Sequence, residues 1–183
     1  PAFLFINGDG KLVYMESGYT EEDEFIGYGK MALEKAKGIE FIEGDWNRAL
    51  EQARQENKLI FMDCYTSWCG PCKQLAKTVF TDPDAANFFN EHFVNLKMDM
   101  EKGEGINLKD RFEVKAYPTL LFINGQGEVV HCLVGAPGLK ELMEQAQLAF
   151  DGKGLAYADD EYQKGNREPE LIQAYLTYLG NAS

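Results

Sequence analysis

Ser67-Trp68-Cys69-Gly70-Pro71-Cys72-Lys73 decides the reading of this chain, because two cysteines separated by two residues can close a small, reversible disulfide. Upstream lies Lys58-Leu59-Ile60-Phe61-Met62-Asp63-Cys64-Tyr65, an apolar run of strand length, and Pro71 sits where the first turn of a helix accepts a proline. The pair therefore reads as strand, tight turn, helix. A helix N-terminus carries unpaired N–H groups and the positive end of the macrodipole, so the first cysteine can ionise below the usual thiol pKa of about 8.5. Cys69 is then a nucleophile, and Cys72, one turn later on the same face, can attack a mixed disulfide and release a reduced substrate.

Trp68-Cys69-Gly70-Pro71-Cys72-Lys73 resembles the active-site motif of thioredoxins, and other residues extend the likeness. Asp63, six residues before Cys69, is similar to the buried acid of that family. Tyr117-Pro118-Thr119, before an apolar strand, resembles the family's cis-proline loop, which faces the cysteines. Lys97-Met98-Asp99 looks like the site of a lysine near the buried acid, and Val134-Gly135-Ala136 like a loop of the substrate groove. The resemblance spans about residues 39 to 151 and is of Bacteroidetes type, given Phe80-Thr81-Asp82-Pro83 and Asp99-Met100-Glu101-Lys102-Gly103-Glu104-Gly105.

With 183 residues, 45% of them hydrophobic, the chain can bury one ordinary core, which argues against a multidomain enzyme. The net charge of −12 is spread along the sequence, so there is no basic stripe to grip nucleic acid. No apolar run approaches the roughly 20 residues that span a bilayer, and no secretory leader precedes Pro1. The chain reads as cut, so that absence carries little weight.

Four cysteines are too few for a disulfide scaffold, and only Cys69 and Cys72 have a redox spacing. Cys64 and Cys132 read as small buried hydrophobes. A structural zinc site would need four ligands in paired clusters, which the sequence lacks, so no metal is expected. No cofactor is expected beyond the Cys69–Cys72 disulfide itself.

Residues 1 to 13 match residues 118 to 130 at eight of thirteen positions, and Gly18 matches Gly135 at the same offset. Glu21 to Lys37, with Phe25, Ile26, Met31 and Leu33 among its charges, can match the helix after Gly138. Residues 1–38 thus look like the last strands and helix of a thioredoxin-like unit without its cysteines. Either the chain begins inside a tandem protein or the unit is incomplete. Such a ribbon is marginal alone, so Phe3, Phe5, Phe25 and Ile26 are expected to pack against the central domain or a second copy. Self-association through this segment is one expectation.

In the central domain, residues 39–152, Asp45 precedes an amphipathic helix and Leu59 opens the first strand. A helix runs from Pro71, another starts at Asp82-Pro83, and Phe93 to Asp99 is a strand. Residues 106 to 112 form a short helix. Leu120 to Ile123 and Glu128 to Val134 form strands around Asn124-Gly125-Gln126-Gly127, and a helix from about Pro137 to Phe150 closes the unit. The expected fold is α/β: a thioredoxin-like mixed central sheet flanked by helices, with an N-terminal ββα segment. In residues 153–183, Leu155, Ala158 and Tyr162, then Leu171, Ile172, Tyr175, Leu176 and Leu179, recur at helical spacing and suggest a C-terminal helical hairpin. A cap on the core and the start of a tetratricopeptide-like array both fit it.

The catalytic residues expected from the motif and the resemblance are Cys69, Cys72 and Asp63, the last relaying a proton for Cys72 with its pKa raised by burial. A satisfied strand-end carboxylate is the alternative for Asp63, and a solvent-facing lysine for Lys97, which would otherwise support the acid. Trp68, Gly70, Pro71, Tyr117, Pro118, Thr119 and Gly135 are the expected substrate-binding residues, and backbone beside Pro118 suits an extended peptide. Gly70-Pro71 is the dipeptide of reducing thioredoxins, near about −270 mV against about −120 mV for strongly oxidising relatives. The expected function is reduction of protein disulfides, recharged by an unidentified electron donor. A disulfide isomerase or oxidase, and a binding or assembly module with incidental redox activity, stay open. The family resemblance favours a bacterial periplasm or envelope, with the cytoplasm still open.

Overall fold

The computed structural model describes residues 1–7, 10, 12–169, 171–173, 175 and 176, and two sheets organise them. The smaller is an antiparallel ribbon of β1 (Ala2–Ile6) and β2 (Leu12–Ser17), followed by α1 (Glu22–Ala36). Glu22, Asp23 and Glu24 fill the first turn of α1, where negative charge suits the helix dipole. Alternation sends Phe3 and Phe5 toward α1, their ring centroids 5.1 and 6.1 Å from that of Phe25. Leu4, Ile6 and Met15 occupy the other face and are 58%, 57% and 57% exposed. The expected packing of this segment is therefore only partial. Phe25 and Ile26 stay 43% and 47% exposed, because a two-stranded ribbon offers one helix a narrow floor.

The larger sheet begins with β3 (Ile42–Glu43), a strand of two residues that precedes the strand expected to come first. It is too short to show any periodicity and exists through its pairing with a later strand. After it come α2 (Trp46–Glu56), β4 (Leu59–Tyr65), α3 (Gly70–Thr78), α4 (Pro83–His92), β5 (Phe93–Asp99), α5 (Gly105–Arg111), β6 (Thr119–Ile123), β7 (Val129–Val134) and α6 (Leu139–Phe150). The strand order is β3-β5-β4-β6-β7, with β3, β5 and β4 parallel and β6 and β7 antiparallel to their neighbours. This is the mixed sheet expected.

Local chemistry starts and stops these elements. Asp45 caps α2 by accepting from the Arg48 amide at 2.9 Å, and Asp82 caps α4 by accepting from Asp84 with Pro83 in the first turn. The Asn124 carboxamide accepts from the amides of Gln126 and Glu128, each at 3.0 Å, and closes the hairpin between β6 and β7. One face of the sheet packs Ile60, Met62, Leu121 and Ile123 under Trp46, Ala49 and Ala53 of α2 and Leu108 of α5. The other packs Phe61, Leu120 and Phe122 against Leu75 of α3, Phe89 of α4 and Leu142 and Ala146 of α6. Each fully buried Leu or Phe contributes about 1.5–3 kcal/mol, so these two layers hold the redox loop on a rigid floor.

Gly38 joins the ribbon segment to this core. Its φ of +75° and an ideal Cβ only 2.5 Å from the Phe80 carbonyl oxygen leave no room for a side chain. The next residue, Ile39, donates its amide to that same oxygen at 2.7 Å. At the other end, α7 (Leu155–Gln163) packs beside β7, with Ala158 buried. Tyr175 returns to it, stacking on Tyr162 at 5.1 Å and donating its hydroxyl to Asp159, in keeping with a hairpin. Leu179 lies outside the described residues.

Candidate active site

Cys69 stands at the N-cap of α3 and is joined to Cys72 by a disulfide, their Cα atoms 5.4 Å apart. The cap is formed by sulfur: the Cys72 amide donates to Cys69 Sγ at 3.1 Å. The Cys69 amide donates to the Thr66 carbonyl at 3.2 Å, closing the turn after β4, and Pro71 lies in the helix's first turn. Both sulfurs' residues are nearly buried, Cys69 at 3% and Cys72 at 4% exposure. Sulfur on Cys69 thus meets the amide-rich end of a nine-residue helix, where a thiolate is stabilised.

Trp68 is 65% exposed beside them, its indole N–H donating to Glu101 Oε2 at 2.9 Å and its ring 6.0 Å from that of Tyr117 in an edge-on arrangement. The Tyr117–Pro118 peptide bond is cis. Gly135, at φ +99°, donates its amide to the Pro118 carbonyl at 2.8 Å, and the Thr119 hydroxyl donates to the Ala116 carbonyl at 2.8 Å. Tyr117, Pro118, Thr119 and Gly135 therefore form one hydrogen-bonded corner, with Trp68 against its tyrosine.

Asp63 lies on β4, 1% exposed, with no hydrogen-bond partner for Oδ1 among the described residues. Burial is the main cause that pushes its carboxyl up to about 7, Lys97 pulling it down and Glu43 pushing it up. Strand register explains those two neighbours: Asp63 is opposite Lys97 of β5, which is opposite Glu43 of β3. The Lys97 ammonium sits 5.1 Å from the centre of the Tyr65 ring. Among the described residues no ion pair joins Lys97 to either carboxylate. Asp63 is thus buried, and Lys97 belongs to its surroundings while only partly exposed.

Glu43 and Glu101 escaped the sequence reading. Glu101 falls in a stretch notable only for the resemblance, and no spacing ties it to Trp68, 33 residues earlier. Glu43 sits on a strand too short to read. Cys64 is fully buried and Cys132 partly so, and burial raises both thiols, well so for Cys64. They are poorer nucleophiles than an ordinary cysteine.

Residues 41–125 match the thioredoxin-like family. Thioredoxin H4 of Arabidopsis thaliana is 37% identical over 107 residues, covering 58% of this chain and 85% of the plant protein. Thioredoxin of Echinococcus granulosus is 33% identical over 108 residues, covering 58% of this chain and 92% of its own. A solved structure from Bacteroides thetaiotaomicron, described as a candidate disulphide isomerase, is 58% identical with a TM-score of 0.56, covering 61% of this chain and 92% of that one. The chain belongs to the thioredoxin-like family, and its closed Cys69–Cys72 pair marks it as a thiol-disulfide oxidoreductase of that family.

Proposed function

We propose that this protein reduces disulfides of protein substrates through Cys69 and Cys72. The observation that carries the reading is Cys69 at the amide-rich end of α3 with Cys72 one turn behind it and an exposed Trp68 beside it. In the dithiol form the Cys69 thiolate attacks a substrate disulfide, forms a mixed disulfide and expels one substrate thiolate. Cys72 then gives its proton to Asp63 and attacks Cys69 Sγ. The bond to substrate breaks, the second substrate sulfur leaves as a thiolate that takes up a proton from water, and two electrons have passed from the dithiol to the substrate. An external donor must return them. Trp68, Gly70, Pro71 and the corner of Tyr117, Pro118, Thr119 and Gly135 form the surface for an extended peptide.

Residues 39–152 are the redox unit in this reading, residues 1–38 a partial repeat and residues 153–183 a tail. A bacterial setting is supported by the likeness to the Bacteroides protein, and an envelope location rests on family resemblance alone, for fractionation to test.

Reduction of insulin in the presence of dithiothreitol is the direct test. Cys69→Ser should abolish it and Cys72→Ser should accumulate a substrate mixed disulfide, since only the second variant keeps the nucleophile. Equal loss without trapping would refute the assignment. The description of the Bacteroides relative favours isomerase chemistry as a second reading. Reactivation of scrambled ribonuclease, with a redox potential well above about −270 mV, would select it.

A further inference from the structure

Glu43, Lys97 and Asp63 stand in one row across β3, β5 and β4, on the sheet face that carries α3. Neighbouring strands are about 4.8 Å apart, so the Cα atoms of the two acids lie about 10 Å from each other, with that of Lys97 between them in the register. The row is graded in exposure: Glu43 is exposed, Lys97 half-buried and Asp63 buried. Beside it, Glu43, Tyr65, Lys97, Asp99 and Lys102 line a cavity of about 280 Å³ at the open edge of the sheet. Lys97 rests over the Tyr65 ring, committed to neither acid. One cation thus has two competing partners, one in water and one in the core.

Among the described residues, the other neighbours of Asp63 offer no substitute for that cation. Its partner on β6 is Leu120, and α3, which covers this sheet face, buries Cys72 and Leu75. On its own strand Tyr65 shares its face, while Cys64 belongs to the opposite layer. Asp99, further along β5, is paired with Lys102 at 2.7 Å.

We propose that Glu43 is a positioning residue of the redox centre: its charge biases Lys97 toward the sheet edge, without a direct ion pair, while Asp63 carries its proton, and leaves the lysine to Asp63 when Asp63 ionises. This rests on the reading of Asp63 as the proton acceptor of Cys72. An unpaired buried carboxylate is costly, and a lysine delivered only on ionisation lets one group hold and release a proton within the same cycle.

The test is titration of Asp63 in the full oxidised chain, followed by carboxyl ¹³C NMR with the signal assigned by its loss in Asp63→Asn. Glu43→Gln should lower the Asp63 midpoint by about 0.3 to 1 pH unit, as expected for removing a charge two strands away and freeing the lysine. Glu43→Asp should restore most of the wild-type value, and Glu43→Lys should lower it further. In a Lys97→Met background the Glu43→Gln shift should fall to less than half. An unchanged midpoint in Glu43→Gln would overturn the proposal, as would an equal shift with and without Lys97, since Glu43 would then act directly through space. Insulin reduction by the wild type reports separately on the reductase reading, and the titration needs no activity.

Discussion

Trp68 donates its indole N–H to the carboxylate of Glu101 at 2.9 Å, so a loop after β5 orients the aromatic side chain beside the disulfide. Hydrogen bonds to a charged group contribute about 1.5–3 kcal/mol when shielded and less at an exposed site such as this one. Their value here is positional.

Glu101→Ala should therefore leave thermal stability almost unchanged while lowering kcat/KM for protein disulfides about three- to tenfold. Small disulfide substrates, which do not lean on Trp68, should be affected less. Tryptophan fluorescence anisotropy would register the freed ring, and equal losses for large and small substrates would sink the idea.

Asp63 makes the active site costly to fold. Its folded pKa of about 7 lies above the ordinary carboxylate value of 3.8, so the folded chain binds the extra proton between those limits. Stability is then fully present below about pH 4 and is lost as pH rises toward 7, after which it levels off. Asp63→Asn should remove that decline and be more stable at pH 8 by on the order of 4 kcal/mol, with release of the mixed disulfide slowed at least tenfold. Urea unfolding at pH 5 and pH 8 with single-turnover reduction would test both.

His131 carries the opposite sign. It is 4% exposed on β7, its Nε2 lies 2.8 Å from Gln145 Oε1 of α6, and burial lowers its pKa. The unfolded chain therefore binds a proton near pH 6.5 that the folded chain refuses, and stability falls as pH drops from about 6.5. Gly154, before α7, sits where an added Cβ would meet the His131 Cβ at 3.0 Å, so that docking surface should loosen first. Hydrogen exchange should accelerate in α7 at pH 5, and His131→Gln should blunt the acid sensitivity.

Deleting residues 1–38 should leave disulfide reduction intact, because the cysteines, Asp63 and the Pro118 corner all lie beyond them. Removing Gly38 and the segment behind it exposes the Phe80 region, so the truncated chain should be somewhat less stable. Sedimentation of both chains would show whether the exposed face of Leu4, Ile6 and Met15 drives association. Loss of activity in a truncated chain that stays folded would overturn the domain division.

The sequence by itself determined whatever depends on neighbours along the chain. Asp45 and Asp82 before helices, Pro71 inside a first turn and the Asn124-to-Gly127 hairpin act over a few residues, and each appears in the structure where its chemistry requires. Tertiary structure alone decided what comes from distant parts of the chain. Leu4 and Ile6 repeat Leu121 and Ile123 in the aligned segment, yet the first pair is 58% and 57% exposed and the second 3% and 0%. The residues are the same, but only the second pair has a helix, α2, packed over it. The row of Glu43, Lys97 and Asp63 arises in the same way: parallel register is set by crossovers longer than any local pattern, so three ordinary charged residues become one electrostatic unit only when β3, β5 and β4 are laid side by side.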